Sequence, residues 1–231
     1  MKTVVLEHRE LICSAADDIC ELLRKKPCAV FTIAGGCTMM PLWEELSCRV
    51  REGKLSFAEA RFFQTAEFLD VPAEYTFRRQ LEEGFISKTD LSPEACTWLD
   101  GSCPEACDEA IAAAGGLDMA VLGIGCNAHI GLNEPATQWD TRCRIQKLTE
   151  KTRRQYAWMF PDREVPEKGV TMGVRTLASA KKILVLAVGE EKAPATFSML
   201  YARDDSVIPA AFLQIPSNVT VYADPSAAKN L

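Results

Sequence analysis

The sequence has few histidines, no long apolar run and no block of basic residues. Its 231 residues include two histidines, and no apolar stretch approaches the about 18 residues that a membrane-spanning helix needs. Charged residues from Glu7 to Glu10 interrupt the N-terminal segment, so it lacks the basic-then-apolar pattern of a secretory leader. Lysine and arginine are scattered, and the net charge of −6 argues against a nucleic-acid partner. We expect a cytoplasmic protein that binds neither nucleic acid nor a membrane.

The cysteines do not indicate disulfides or a metal. All ten belong to a chain longer than the small secreted domains that depend on disulfides, and several, such as Cys20, Cys28 and Cys126, lie in or beside apolar segments. Cys103 and Cys107 are four residues apart, but no second pair with zinc spacing follows and both histidines are remote. We expect reduced cysteines and no metal site.

Helical and strand patterns alternate along the chain. Strands are predicted in PCAVFTIAGG, ARFFQTAEF, LDMAVLGIG, KKILVLAVG and NVTVYAD, and helices in LEHRELICSAADDICELLRKK, TMMPLWEELSCRVREG, AEYTFRRQLEEGF, PEACDEAIAAAGG and EEKAPATFSMLYARDD. This order predicts a single α/β domain over residues 1–231, doubly wound, with a mostly parallel sheet and helices on both faces. Ligands of such folds bind beyond the carboxyl ends of the strands, here near Gly36, Gly125 and Gly189.

Two of these strand ends carry residues that suit a binding site. Gly35 and Gly36 stand between a strand and a helix, where free N–H groups and the helix dipole can hold an anion, although an ordinary turn is the alternative. Asn127 and His129 follow another strand and can face the same way, with Glu134 close behind. Imidazole transfers protons near neutral pH, and a neighbouring amide or carboxylate can fix its tautomer. A purely structural loop remains the alternative.

The stretch LGIGCNAHIGLNEP resembles the signature loop of the glucosamine-6-phosphate deaminases, which reads close to VGxDGHIAFNEP, and resembles the galactosamine-6-phosphate isomerase branch more closely still. The resemblance extends over most of the chain. AGGCTMMPLWEEL resembles the family's phosphate-binding turn, TRCRIQKLTEKTR its TRxRIxxLTxxTR segment, TMGVRTLASAKKILVLAVGEEKA its TxGxxTLxxAxxxxxLxxGxxKA stretch, and FLQIPSNVTVYAD its closing segment.

The resemblance implies a role for each matching residue. His129 opens the sugar ring with Glu134 supporting it, and Asn127 takes the position of an aspartate. Lys192 holds the 6-phosphate together with the turn that contains Gly35, Gly36, Cys37 and Thr38. A dianion is held well by such a combination of ammonium and backbone donors. No metal or organic cofactor is implied.

Among several departures from the family pattern, two concern residues that the reaction or the phosphate site needs. Ala66 stands where the family's TFNMDEY motif has its catalytic aspartate, and Glu67 is adjacent. Neighbouring side chains on a strand face opposite sides, so Glu67 would need a bend or bulge to act as the base. Trp158 stands at the position of a phosphate-binding arginine, so Arg153 or Arg154 would have to complete the phosphate site, and we select Arg153.

The sequence therefore favours an amino sugar 6-phosphate isomerase or deaminase, which converts galactosamine or glucosamine 6-phosphate to a ketose 6-phosphate and ammonia. Two alternatives stay open. A 6-phosphogluconolactonase-like hydrolase needs no enolising carboxylate, which would make Ala66 harmless. A sugar-phosphate-binding protein with weakened catalysis would keep Lys192 and the glycine turn. The sequence does not decide the epimer, an allosteric effector or whether the chain forms a homo-oligomer.

Overall fold

The computed structural model describes residues 1–202 and 208–231. Its strands are β1 Lys2–Val5, β2 Val30–Ile33, β3 Arg61–Phe63, β4 Ala66–Phe68, β5 Cys96–Thr97, β6 Met119–Gly123, β7 Arg144–Lys147, β8 Lys168–Thr171, β9 Ile183–Ala187 and β10 Val219–Ala223. Its α-helices are α1 His8–Lys25, α2 Met40–Arg51, α3 Phe77–Gly84, α4 Glu105–Ala113, α5 Glu150–Gln155, α6 Val174–Ala178 and α7 Ala193–Tyr201. The predicted helix that includes α7 extends to Arg203–Asp205, which lie outside the described residues.

Seven strands form one parallel sheet in the order β1-β10-β9-β6-β2-β3-β5. Helices α1, α2 and α3 pack on one face, and α4, α6 and α7 pack on the other. The predicted doubly wound, mostly parallel α/β fold is confirmed. Within the described ranges, no helix has the length and apolar character to cross a bilayer.

Strand β6 shows why the central strands have no alternating pattern. Met119 and Val121 belong to the core on one face of the sheet, whereas Ala120 and Leu122 belong to the core on the other face. All four side chains are buried. A strand covered on both sides needs apolar residues at every position, so its sequence reads as a continuous apolar run.

A second sheet, antiparallel and in the order β4-β8-β7, was not predicted. The segment predicted as a single strand divides into β3, which joins the parallel sheet, and β4, which joins this second sheet. Gln64 and Thr65 lie between them with buried side chains. The Gln64 carboxamide accepts a hydrogen bond from the Leu99 N–H at 3.1 Å, and the Thr65 hydroxyl lies 2.6 Å from that of Thr32. The single-strand prediction was wrong because these two polar contacts fix the break.

Strands β2 and β9 end in the same way. Gly36 and Gly189 adopt φ values of 100° and 97°, which side chains with a Cβ rarely allow. Each glycine precedes a short 3-10 turn that continues into a helix, α2 or α7, with a proline in its first turn. These glycine turns therefore bring two helix N-termini to the carboxyl edge of the sheet.

Candidate active site

The loops after β2, β6 and β9 open onto a cavity of about 460 Å³ at the carboxyl edge of the parallel sheet. This is the edge where the sequence predicted the ligand site. The β2 loop contributes residues 34–38, the β6 loop contributes residues 124–126 and His129, and Lys192 follows β9. The remaining wall includes Thr65 and Ala66 and several residues between 151 and 158.

His129 stands at the end of a hydrogen-bonded chain. The Asn127 Nδ2 group donates to Glu134 Oε2 at 2.8 Å, which turns Asn127 Oδ1 towards the imidazole. His129 Nδ1 lies 2.7 Å from this oxygen. Because an amide oxygen only accepts, the proton of the neutral imidazole is on Nδ1. Nε2 is then unprotonated, and it makes no hydrogen bond with any residue that the structure describes.

Glu134, at the other end of this series of hydrogen bonds, is buried and held by several donors. Its side chain is 2% exposed, and it also accepts from the Thr149 N–H at 2.9 Å and the Thr149 hydroxyl at 3.1 Å. Thr149 caps the N-terminus of α5, so the carboxylate joins that helix to the β6 loop. The Thr152 hydroxyl, one turn further on, lies 3.1 Å from His129 Nδ1.

The imidazole of His129 is neutral at physiological pH. Burial and the nearby Lys192 ammonium lower its pKa from 6.5 to about 3. Both causes act against the charged form, since burial removes hydration and a second cation repels a proton. Near neutral pH, His129 is therefore in the form that has a free lone pair at Nε2, and the same two causes make it a weaker base than free imidazole.

Two further residues shape the β6 loop. A Cβ built on Gly125 would lie 2.2 Å from His129 Cε1, so the ring can occupy its position only beside a glycine. The Asn133 carboxamide donates to the Ile130 and Met172 carbonyl groups, at 2.8 Å in each case, and accepts from Arg144 Nη1. Asn133 thus holds the loop in place, and none of its hydrogen bonds within the described residues goes to His129.

The opposite side of the cavity suits an anion. Cys37 and Thr38 open the helical turn after Gly36, so their N–H groups have no partner within that turn. Lys192 is 6% exposed and lines the same cavity. Within the described part of the chain, its ammonium makes one side-chain hydrogen bond, to Cys126 Sγ at 3.3 Å. A buried ammonium with so weak an acceptor is suited to an anionic ligand.

Glu67 does not line the cavity. Strand β4 pairs regularly with β8, without the bend that would turn Glu67 inward, and Ala66 faces the cavity instead. The Glu67 carboxylate accepts from Gln64 Nε2 at 2.7 Å and from the N–H groups of Phe68, Phe77 and Arg78, each at 2.8 Å. It caps the start of α3, and burial raises its pKa although these hydrogen bonds oppose the rise.

Arg153 also lies outside the cavity. Its Nε donates to the Val165 carbonyl at 2.8 Å, and its guanidinium pairs with Glu164. The cationic side chains of α5 that line the cavity are those of Lys151 and Arg154. Lys151, Gln155 and Tyr156 on the same wall were not predicted, whereas Trp158, which stands at the position of the family's arginine, also lines the cavity.

Helical spacing in the sequence could have predicted part of this cavity wall. Lys151, Arg154 and Gln155 are separated by three and four residues and therefore share one face of α5. The Gln155 carboxamide accepts from the Cys126 N–H at 2.8 Å, which brings that face against the β6 loop.

Comparison with known proteins identifies the family of the protein. The family model described as glucosamine-6-phosphate isomerases/6-phosphogluconolactonase matches residues 6–222. The chain belongs to this family. Among its relatives, the glucosamine-6-phosphate deaminase of Beutenbergia cavernae is 35% identical and covers 99% of this chain and 91% of its own length. The glucosamine-6-phosphate deaminase of Streptomyces avermitilis is 36% identical and covers 94% of this chain and 87% of its own length.

Solved structures of the glucosamine-6-phosphate isomerase/6-phosphogluconolactonase family share the fold. A monomeric glucosamine-6-phosphate deaminase superposes with a TM-score of 0.96 at 29% identity, with both chains covered completely. The 6-phosphogluconolactonase of Trypanosoma brucei gives a TM-score of 0.75 at 20% identity, covering 100% of this chain and 98% of its own. At that identity, the likeness to the lactonase shows the fold alone.

Proposed function

We propose that this protein is an amino sugar 6-phosphate deaminase, which converts glucosamine or galactosamine 6-phosphate to the ketose 6-phosphate and ammonia. The observation that carries the proposal is the chain from Glu134 through Asn127 to His129, whose free Nε2 shares a cavity with Lys192. The full-length relatives named glucosamine-6-phosphate deaminase support the same reaction. Residues 1–231 would act as one domain. A homo-oligomer and a cytoplasmic location stay predictions.

The phosphate of the substrate would bind between Lys192 and the glycine turn. Lys192 supplies a buried positive charge, and Cys37 and Thr38 supply backbone N–H groups at the start of a helix. Arg154 and Lys151 line the same cavity and would add positive charge, in place of Arg153. A phosphate in this position leaves the sugar carbons to extend towards His129.

His129 would transfer the protons. Its Nε2 takes the proton of the C1 hydroxyl and delivers it to the ring oxygen, which opens the ring to an aldehyde and leaves the imidazole neutral again. Removal of the C2 proton then gives an enaminol, and protonation at C1 converts it to a C2 imine. Water adds to the imine and ammonia leaves, so one water is consumed for each ammonia released. The carbonyl at C1 acidifies the C2 proton, which a neutral imidazole can then remove.

This chain differs from the family pattern in the residue that would remove the C2 proton. Glu67 is not available, since four donors hold its carboxylate away from the cavity. Ala66 offers no base. We therefore propose that His129 also removes the C2 proton. The same observation favours one alternative, lactone hydrolysis, in which His129 would need only to activate water.

The experiment is a product assay on a panel of substrates. The wild-type protein is incubated with glucosamine 6-phosphate, galactosamine 6-phosphate, their N-acetyl forms and 6-phosphogluconolactone, and ammonia, ketose phosphate and acid are measured. We expect equal amounts of ammonia and ketose phosphate from an amino sugar phosphate. His129→Gln should reduce turnover by roughly 10²- to 10⁴-fold, and His8→Gln is the control. Acid release from the lactone alone would replace the deaminase by the hydrolase.

Deuterium exchange at C2 identifies the base. In deuterated water, wild type and Glu67→Gln should both exchange the C2 proton of the substrate, and His129→Gln should not. Ala66→Asp should exchange faster than wild type, because it adds a carboxylate to the cavity wall. If folded Glu67→Gln lost exchange, Glu67 and not His129 would be the base that removes the C2 proton.

A further inference from the structure

Tyr156, directly after α5, lies against the catalytic imidazole. Its ring is stacked on His129 with centroids 6.0 Å apart and an angle of 28° between the planes. Phe68 and Phe77 contact it edge-on, each with a centroid distance of 5.4 Å. The tyrosine ring is therefore fixed by aromatic contacts and in turn covers one face of His129.

The same ring reaches the glycine turn. A Cβ built on Gly36 would lie 4.0 Å from Tyr156 Cε1, so the edge of the ring that carries the hydroxyl is close to the backbone of the turn. Tyr156 also lines the cavity. It thus contacts both of the regions that the proposed function uses, the imidazole and the anion site.

The hydroxyl of Tyr156 is available to a ligand. No hydrogen bond between described residues uses it, and the partly buried side chain lines the cavity. Burial raises the pKa of Tyr156, so the group stays protonated and can donate. Phosphate oxygens accept hydrogen bonds, which makes a phosphate monoester the matching partner.

We infer that the Tyr156 hydroxyl donates a hydrogen bond to a phosphate oxygen of the ligand at the Gly35–Gly36 turn, while the Tyr156 ring holds the plane of the His129 imidazole. The inference rests on the proposed function in one respect, that the ligand is a sugar 6-phosphate. It makes Tyr156 a binding residue through its hydroxyl and a positioning residue through its ring, and two substitutions separate these roles.

Tyr156→Phe tests the hydroxyl and keeps the ring. The probe is sorbitol 6-phosphate, which has neither an amine nor a carbonyl group and cannot react, and calorimetry measures its affinity. Because the lost hydrogen bond goes to a charged group, we expect affinity to fall about tenfold or more. Tyr75→Phe is the matched control, since the Tyr75 hydroxyl bonds to Asp162 and Tyr75 is not among the residues that line the cavity. Wild-type affinity in Tyr156→Phe would overturn the assignment of the hydroxyl.

Tyr156→Leu tests the ring. With an amino sugar phosphate as substrate, Tyr156→Phe should raise KM and keep kcat within about twofold, whereas Tyr156→Leu should also lower kcat about tenfold, because the imidazole loses its stacking partner. The nuclear magnetic resonance signal of His129 gives a readout that needs no turnover, and it should shift in Tyr156→Leu and stay in place in Tyr156→Phe. Equal kcat values and unshifted signals in both variants would overturn the positioning role.

The two proposals can fail separately. If no amino sugar phosphate releases ammonia but Tyr156→Phe still weakens binding of sorbitol 6-phosphate, the inference on Tyr156 holds and the assigned reaction falls. If ammonia is released and Tyr156→Phe binds like wild type, the reaction holds and the inference on the hydroxyl falls.

Discussion

Glu134 and Glu67 are both buried carboxylates, with 2% and 8% of their surfaces exposed, and both accept several hydrogen bonds. They differ in what their donors do. The donors to Glu134 include Asn127, which in turn contacts His129 at the cavity. The donors to Glu67 are the Gln64 side chain, the Phe68 N–H in its own strand, and two backbone N–H groups at the start of α3. Burial and hydrogen bonding alone therefore do not distinguish a carboxylate that supports chemistry from one that caps a helix.

The neighbouring strands explain how two glutamates with similar surroundings acquire different roles. Glu134 lies in the loop that leaves the carboxyl end of β6, where the parallel sheet opens onto the cavity. Glu67 lies within β4, whose alternation turns Ala66 to the cavity and Glu67 to the helix. Glu134 thus reaches the cavity only through Asn127 and His129, whereas Glu67 faces away from it.

Of the two glutamates, Glu134 is expected to show the larger effect on activity. Glu134→Gln places an amide where the carboxylate accepts from Asn127 and Thr149, so the orientation of Asn127 is no longer determined by an acceptor. Substitution of partners that orient metal-bound histidines typically costs about 10- to 100-fold in activity, and by analogy we expect kcat to fall by about that factor. Steady-state kinetics on the folded variant measures it. Wild-type kcat in Glu134→Gln would show that the chain behind His129 is only structural.

Glu67→Gln should have the opposite profile. The substituted amide has one donor group facing N–H donors, so we expect the free energy of unfolding to decrease by about 1–3 kcal/mol. Activity per folded molecule should remain within about twofold of wild type, because the side chain does not reach the cavity. Urea unfolding and kinetics at a temperature well below the transition give the two values. If Glu67→Gln lost more activity than folded protein, Glu67 would also support the reaction, and the two glutamates would not differ in role.

The sequence was sufficient for the central strands of the parallel sheet and for the residues of the β6 loop, but not for the edge strands β1 and β5. Continuous apolar runs bounded by glycine marked the central strands, and the family resemblance selected Asn127, His129 and Glu134, which the structure brings together. The short strands β7 and β8 carry little apolar pattern, since β7 alternates between partly buried and exposed residues. Their pairing with β4 depends on contacts distant in sequence, which periodicity does not reveal.

The cationic residues of the cavity wall, Lys151 and Arg154, were harder to predict from the sequence than the β6 loop. Arg153 and Arg154 are adjacent, and only the direction of each side chain from α5 decides which lines the cavity. Arg153 instead donates to the Val165 carbonyl, twelve residues further along the chain. No motif or helical spacing in the sequence indicates this contact. Contacts of this kind can be seen in the structure and not in the sequence pattern.

The state of His129 can be measured directly, because the chain has only two histidines. Nuclear magnetic resonance of the protein with nitrogen-15-labelled histidine, with His8→Gln to assign the signals, reports the tautomer and the protonation of each ring. Since the folded-state pKa lies near 3 and the unfolded value near 6.5, the unfolded chain binds a proton between these values that the folded chain does not. Stability should therefore decline as pH falls through that window, and less steeply in His129→Gln. At pH 7 and at pH 5, we predict a neutral His129 with its proton on Nδ1. A proton on Nε2, or protonation of His129 near pH 6.5, would contradict the role proposed for it.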